Sequence, residues 1–209
     1  MRLDRSQAAK WANAGAVVLL AAIWLTMLVG GGGPLDRAIY EALYVGGNPG
    51  LLVLARSLTE LGEPTVLIVG GFVIAGLLWL QGKGRLAVTL LAVILVGRAL
   101  ASVQKYWIAR VRPDVEPHLV VVHSSSFPSG HATSSMIVFL ALALALTART
   151  RWHRLAAGGA VLLSLLVGTS RVMLGVHWPS DVVGGWAFGA LWVLLTLPLA
   201  ERLFRVRSV

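Results

Sequence analysis

Long apolar blocks alternate with short polar stretches along this 209-residue chain. Six blocks come close to the roughly 20 residues that a helix needs to cross the hydrocarbon core of a bilayer. They run from about Ala12 to Gly31, Pro64 to Leu80, Leu86 to Gln104, Ala132 to Thr147, Leu155 to Leu174 and Asp181 to Ala200. The segment from Pro34 to Glu63 is too polar to span. Within it Leu35, Ile39, Ala42 and Leu43 recur at helical spacing beside Asp36, Arg37 and Glu41. That pattern predicts a short helix lying in the interface with its apolar side in lipid, broken at Gly46-Gly47-Asn48-Pro49-Gly50. The expected fold is all-α: about six transmembrane helices with one short interfacial helix between the first two.

Composition supports a membrane protein. Charged residues are 13% of the chain and hydrophobic residues 57%, against about 25% charged in soluble domains; mean hydropathy is +0.79. No repeat or linker marks a second domain, so residues 1–209 read as one. Gly70-Gly71, Gly158-Gly159 and Gly184-Gly185 suggest close helix packing. The net charge of +9 does not form the basic stripe of a nucleic-acid binder. It sits between apolar blocks, where topology accounts for it. Arg2, Arg5, Lys10, Lys83, Arg85, Arg149, Arg151, Arg154, Arg202, Arg205 and Arg207 fall on one side. That side reads as cytoplasmic, with both termini inside. The first block could be a signal peptide, but its apolar stretch is long and no clear A-x-A site follows. Without cysteine there is no thiolate chemistry or thiol-ligated metal.

Three polar clusters interrupt the apolar pattern, all at block ends on the opposite side. The first holds Lys105 and Arg112-Pro113, the second is Pro128-Ser129-Gly130-His131, and the third runs from Ser170-Arg171 through His177 to Asp181. Lys105 and Arg112 are about two helical turns apart if the helix continues, so both can face one pocket. Arginine offers a planar fork and lysine a point charge for phosphate oxygens; a snorkelling interfacial anchor explains the pair equally well. Pro128 to His131 precede an apolar helix, where free amides bind anions. The Ser129 hydroxyl adds a donor, Gly130 permits close approach, and His131 can give a proton. An ordinary cap within the Ser124 to Ser126 tract is the alternative. In the third cluster Asp181 can reach back to His177, fix its tautomer and raise the nucleophilicity of its other nitrogen; a helix cap without chemistry is the bland reading.

Together the clusters resemble the three signature motifs of the type 2 phosphatidic acid phosphatase superfamily: K-x6-R-P, P-S-G-H and S-R-x5-H-x3-D. Every fixed position is matched, in order, and the likeness extends over most of the chain. The resemblance implies a lipid phosphate phosphatase that uses neither metal nor cofactor. On it, His177 attacks phosphorus and forms a phosphohistidine, Asp181 orients His177, and His131 protonates the leaving oxygen and then activates water. Lys105, Arg112 and Arg171 would hold phosphate oxygens, and Ser129 and the Gly130 amide would stabilise the transition state. The implied substrates are undecaprenyl diphosphate, phosphatidylglycerol phosphate or phosphatidic acid, taken from the bilayer.

Arg98 is the one charge well inside a block, two turns before Lys105. It either extends the site toward lipid as a substrate contact or pairs structurally with a carbonyl, Glu60 or Glu63. His118 and His123 match no zinc spacing and read as loop residues. Trp11, Trp107, Trp152 and Trp178 fit an interfacial aromatic belt. Two alternatives share these features: a phosphotransferase of the same fold, and a transporter or lipid-binding protein without chemistry. A transporter usually binds near the bilayer midplane, whereas all three clusters lie at block ends.

Overall fold

The computed structural model describes residues 5–148 and 150–205, with side chains from residue 11 to 199 apart from 12 and 149. Arg2, Arg149 and Arg207, used above for topology, lie outside the described residues. The described chain is helical: α1 (Arg5–Val29), α2 (Pro34–Leu43), α3 (Pro49–Glu60), α4 (Pro64–Leu80), α5 (Gly84–Ile108), α6 (Gly130–Thr147), α7 (His153–Met173) and α8 (Pro179–Arg205). Helices α5, α6, α7 and α8 are each long and apolar enough to cross a membrane. Two bent pairs supply up to two further spans: α1 with α2, at 95°, and α3 with α4, at 41°. The molecule is an integral membrane protein.

The segment expected to hold one interfacial helix holds two. α2 turns sharply off α1 and leaves Leu35 75% exposed, while Asp36 and Tyr40 are buried against the bundle. The sequence pattern does not mark α3, because Arg56, Ser57, Thr59 and Glu60 make its second half polar. Its start signals are nonetheless ordinary: Pro49 sits in the first turn, and Asn48 accepts a hydrogen bond from Leu51 N at 3.1 Å.

α6 is the central helix, packed on α4, α5, α7 and α8, while α1 packs on α8 and α3 on α7. Its middle forms the core with Leu90, Ile94, Met136, Ile137, Leu140 and Val193. Of the three expected glycine pairs, only Gly184-Gly185 lies at a tight crossing. A Cβ on Gly184 would meet Phe127 at 2.5 Å, and one on Gly185 would meet Thr133 Oγ1 at 2.9 Å. Gly70, Gly158 and Gly159 have nothing within 4 Å, and a Cβ on Gly71 would touch only Ile94. Gly70, Gly158 and Gly159 face away from neighbouring helices, while Gly71 is buried against α5. Close approach falls instead to Gly97 under Trp192 and Gly168 under Trp186.

The outer flank of the bundle exposes Val66, Phe72, Val73, Leu77 and Leu80 from α4 and Leu95, Val96 and Leu100 from α5, the apolar surface that lipid chains cover. Trp11, Trp107 and Trp152 are 70%, 77% and 54% exposed, as membrane-interface anchors require. Trp178 departs from the belt. It is half-buried, packs on Tyr40 and Gly32, and donates to Val111 O at 3.2 Å.

Candidate active site

Because α5 and α7 end where α6 and α8 begin, one end of the bundle collects all three polar clusters. A cavity of about 710 Å³ opens there. Lys105, Arg112, Gly130, His131, Arg171 and His177 all line it. Residues separated by up to 72 positions thus share one small space, two imidazoles among three cations.

α5 stops at Ile108 because Ala109 adopts a left-handed conformation, φ 47°. The helix therefore does not continue from Lys105 to Arg112, which lies on non-helical chain beyond the break, yet both side chains face one cavity. The serine tract folds back along this strip to fix both cations. Lys105 Nζ donates to Ser125 O at 2.7 Å, Ser125 Oγ donates to Lys105 O at 2.6 Å, and Arg112 Nε donates to Ser124 O at 2.8 Å. Ser124, Ser125 and Ser126 are thus the wall that aims the cations, which a capping role did not suggest.

Arg171 is 5% exposed in the last turn of α7. Its Nη1 donates to Thr59 Oγ1 at 2.7 Å, while its Nε is buried without a protein partner. A buried donor of this kind is costly unless it meets an acceptor, and the cavity is where one would arrive. Ser129 is placed differently from the expectation. It caps α6 with its side chain 0% exposed, its hydroxyl has no protein partner, and it is not among the cavity-lining residues. Gly130 and His131, in the first turn, do reach the cavity.

His177 sits in the turn between α7 and α8, 2% exposed. Its Nδ1 lies 3.5 Å from Asp181 Oδ2, beyond good hydrogen-bond length. The direct His–Asp contact expected from the sequence is replaced by a bridge. Ser126 Oγ lies 3.3 Å from His177 Nδ1 and also donates to Asp181 Oδ2. On the other edge of the ring, Arg112 Nη1 is 3.2 Å from Nε2. A guanidinium only donates, so Nε2 accepts and carries no proton. The proton is then on Nδ1, given to Ser126 Oγ, which passes its own hydrogen bond to Asp181. Burial, followed by the charges of Arg112, Lys105 and Arg171, holds the His177 pKa well below the ordinary 6.5, which keeps the Nε2 lone pair available.

Asp181 is fully buried behind His177 and is held from three directions. Oδ2 also accepts from Trp178 N at 2.9 Å, and Oδ1 accepts from Arg110 Nη1 at 2.9 Å. Arg110 Nη2 donates to Met27 O at 2.7 Å and Leu28 O at 2.9 Å, and its guanidinium lies 4.4 Å from the Phe127 ring. Asp36 completes the frame by accepting from Ser180 N at 2.8 Å and from Ser180 Oγ. Arg110, Ser126 and Asp36 were not recognised as site residues. The only sequence signal for Arg110 is its place between Lys105 and Arg112.

Of the loop histidines, His123 lines the cavity, whereas His118 turns away to bond Pro113 O at 2.8 Å. Arg98 lines the cavity too. Its partner is Ser134, at 2.9 Å, and neither Glu60 nor Glu63. Among the described residues no three His, Asp or Glu side chains converge as a metal-ligand set.

The chain and its fold have known counterparts. Residues 82–205 match the family model of the PAP2 superfamily. The chain is 34% identical over 177 residues to phosphatidylglycerophosphatase B of Bacillus subtilis (strain 168), covering 83% of this chain and 87% of that one. It is 32% identical over 126 residues to undecaprenyl-diphosphatase of Sulfolobus acidocaldarius, 58% of each chain. Among solved structures, the crystal structure of a transmembrane PAP2-type phosphatidylglycerolphosphate phosphatase from Bacillus subtilis superposes with a TM-score of 0.79 at 32% identity. That match covers 91% of this chain and 98% of the other.

Proposed function

We propose that this chain, which belongs to the PAP2 superfamily and is a membrane lipid phosphatase, works through a covalent phosphohistidine on His177. The observation that carries the reading is the placement of His177 Nε2. It lies beside Arg112 in the cavity that Lys105, Arg171 and His131 share, with its own proton turned away toward Ser126 and Asp181. A lipid phosphate entering this cage meets fixed cations on its oxygens and a neutral nucleophile at phosphorus.

In the first step the Nε2 lone pair forms the N–P bond. The P–O bond to the lipid breaks, and the leaving oxygen takes its electron pair together with a proton from His131. The developing imidazolium charge is met through Ser126 by Asp181. In the second step His131 accepts a proton from water, whose oxygen attacks phosphorus and releases His177 and inorganic phosphate. Phosphoryl transfer asks mainly for positioning and for stabilised oxyanion charge, which Lys105, Arg112, Arg171 and the Gly130 amide supply.

The candidate substrates are phosphatidylglycerol phosphate, undecaprenyl diphosphate and phosphatidic acid. The names of the relatives support the first two. Lys83, Arg85, Arg151 and Arg154 lie at the opposite end of the bundle, in or just after the turns joining α4 to α5 and α6 to α7. By the positive-inside rule that end is cytoplasmic, which puts the cavity on the periplasmic or extracellular side.

The test is phosphate release from these lipids by the purified chain, combined with alkaline-quench trapping of labelled phosphate on the protein. Wild type should show both turnover and a base-stable, acid-labile label, and His177→Ala neither. Undiminished release by His177→Ala would overturn the reading.

A further inference from the structure

We propose that Arg98 and Ser134 form a second anion subsite at the bundle-interior end of the cavity. Its ligand is a second phosphate carried on the leaving-group side of the lipid. The inference rests on the lipid-phosphatase reading above and adds a substrate class to it.

The first observation is the state of Arg98. It lies inside the apolar span of α5, seven residues before Lys105, and lines the same cavity. An ionised side chain at that depth is costly and calls for a partner. Arg98 Nη1 donates to Ser134 Oγ at 2.9 Å, and Nε and Nη2 have no acceptor among the described residues. A neutral hydroxyl does not balance the positive charge, and the Glu63 carboxylate acts on it only through space, without direct contact. Glu63, the acid in this part of the cavity, makes no ion pair with Arg98 and spends its carboxylate capping α4, accepting from Thr65 N and Val66 N.

The second observation is distance along α6. Ser134 is four residues past Gly130 and three past His131, on one helix face, and all three line the cavity. One turn of helix is about 5–6 Å. The Arg98 guanidinium bonded to Ser134 therefore stands about one turn deeper than the cage that holds the reacting phosphate. A substrate whose reacting phosphorus sits at His177 extends its leaving group in that direction. When His177 attacks the terminal phosphate of a prenyl diphosphate and the P–O bond to the bridging oxygen breaks, that oxygen keeps the electron pair, takes the proton from His131 and leaves as part of the remaining anionic phosphate; in phosphatidylglycerol phosphate the oxygen leaves on glycerol, and the second phosphate keeps the charge it already carries. Arg98 is placed to receive that charge.

Two kinds of lipid present this chemistry. A prenyl diphosphate carries the second phosphate directly on the bridging oxygen, and phosphatidylglycerol phosphate carries it across a glycerol. Phosphatidic acid has none. The experiment measures kcat/KM for all three with full-length wild type, Arg98→Gln and Arg98→Lys in one detergent–lipid mixture. Removing a charge-assisted hydrogen bond should lower the ratio of two-phosphate to phosphatidic acid turnover about 10- to 100-fold in Arg98→Gln. Arg98→Lys, which keeps a charge without the fork, should fall in between. A ratio that falls only for the prenyl diphosphate, or only for phosphatidylglycerol phosphate, supports the subsite and names its source. A ratio within threefold of wild type for both lipids overturns it, whatever the absolute loss. If Arg98→Gln does not fold, the Arg98→Lys ratio decides by the same criterion. Wild type inert toward all three lipids would instead sink the phosphatase reading.

Discussion

Arg110 Nη1 binds Asp181 Oδ1 at 2.9 Å, and the same guanidinium holds the carbonyls of Met27 and Leu28 at the end of α1. Asp181 is 0% exposed, so this pair is a buried one. Removing one member of a buried pair costs about 3–5 kcal/mol. Arg110 touches no cavity-lining atom of His177 and acts through the carboxylate. In Arg110→Gln the carboxylate loses one of its clasps, and kcat should fall about 10- to 100-fold with KM within threefold. A thermal melt should show a lower midpoint. A KM effect with kcat preserved would mean that Arg110 binds substrate and does not position Asp181.

Ser126 is the second test of that frame, because its hydroxyl stands between His177 Nδ1 and Asp181 Oδ2. Ser126→Ala removes the bridge and leaves a 3.5 Å gap. Formation of the phosphohistidine proposed above, read in a single-turnover quench experiment, should slow about tenfold or more. Unchanged single-turnover rates would mean that His177 and Asp181 communicate directly.

The pH dependence follows from the position of His177. Burial comes first and the Arg112 charge second among the causes that lower its pKa. A lowered pKa keeps the imidazole unprotonated, and nucleophilic, at pH values below 6.5, so the acid limb it contributes lies below that value. Arg112→Gln removes the repulsion and should move the limb of kcat/KM upward, toward about 6.5. Wild type and variant are compared on one substrate, so the ionisation of the lipid phosphate cancels. A limb that stays put or moves down would show that His177 does not set it.

Much of this molecule is legible in the sequence. Apolar length alone marks six blocks, each of which falls on a helix, and four of those helices are long and apolar enough to span by themselves, since a bilayer core fixes how long an apolar run must be. The clusters at span ends bring His131, His177, Lys105, Arg112 and Arg171 to one cavity because alternate helix ends share a side. What escaped reading depends on how irregular chain folds back on itself. Arg110 and Arg112 are two residues apart, and only the left-handed Ala109 with the strip that follows sends one toward Asp181 and the other toward His177. Ser126 looks like its neighbours Ser124 and Ser125 until the loop places it behind the imidazole. Gly158-Gly159 and Gly184-Gly185 are the same dipeptide, and only the second lies beneath another chain segment. α3 was lost because its charges masked a helix that its cap and proline announce.

The grip of Arg110 on the first helix has a consequence for how little of this protein can stand alone. Every motif position falls within residues 82–205, yet the carbonyls that seat Arg110 belong to residues 27, 28 and 30. A fragment limited to the matched region would keep the whole signature and lose its mooring.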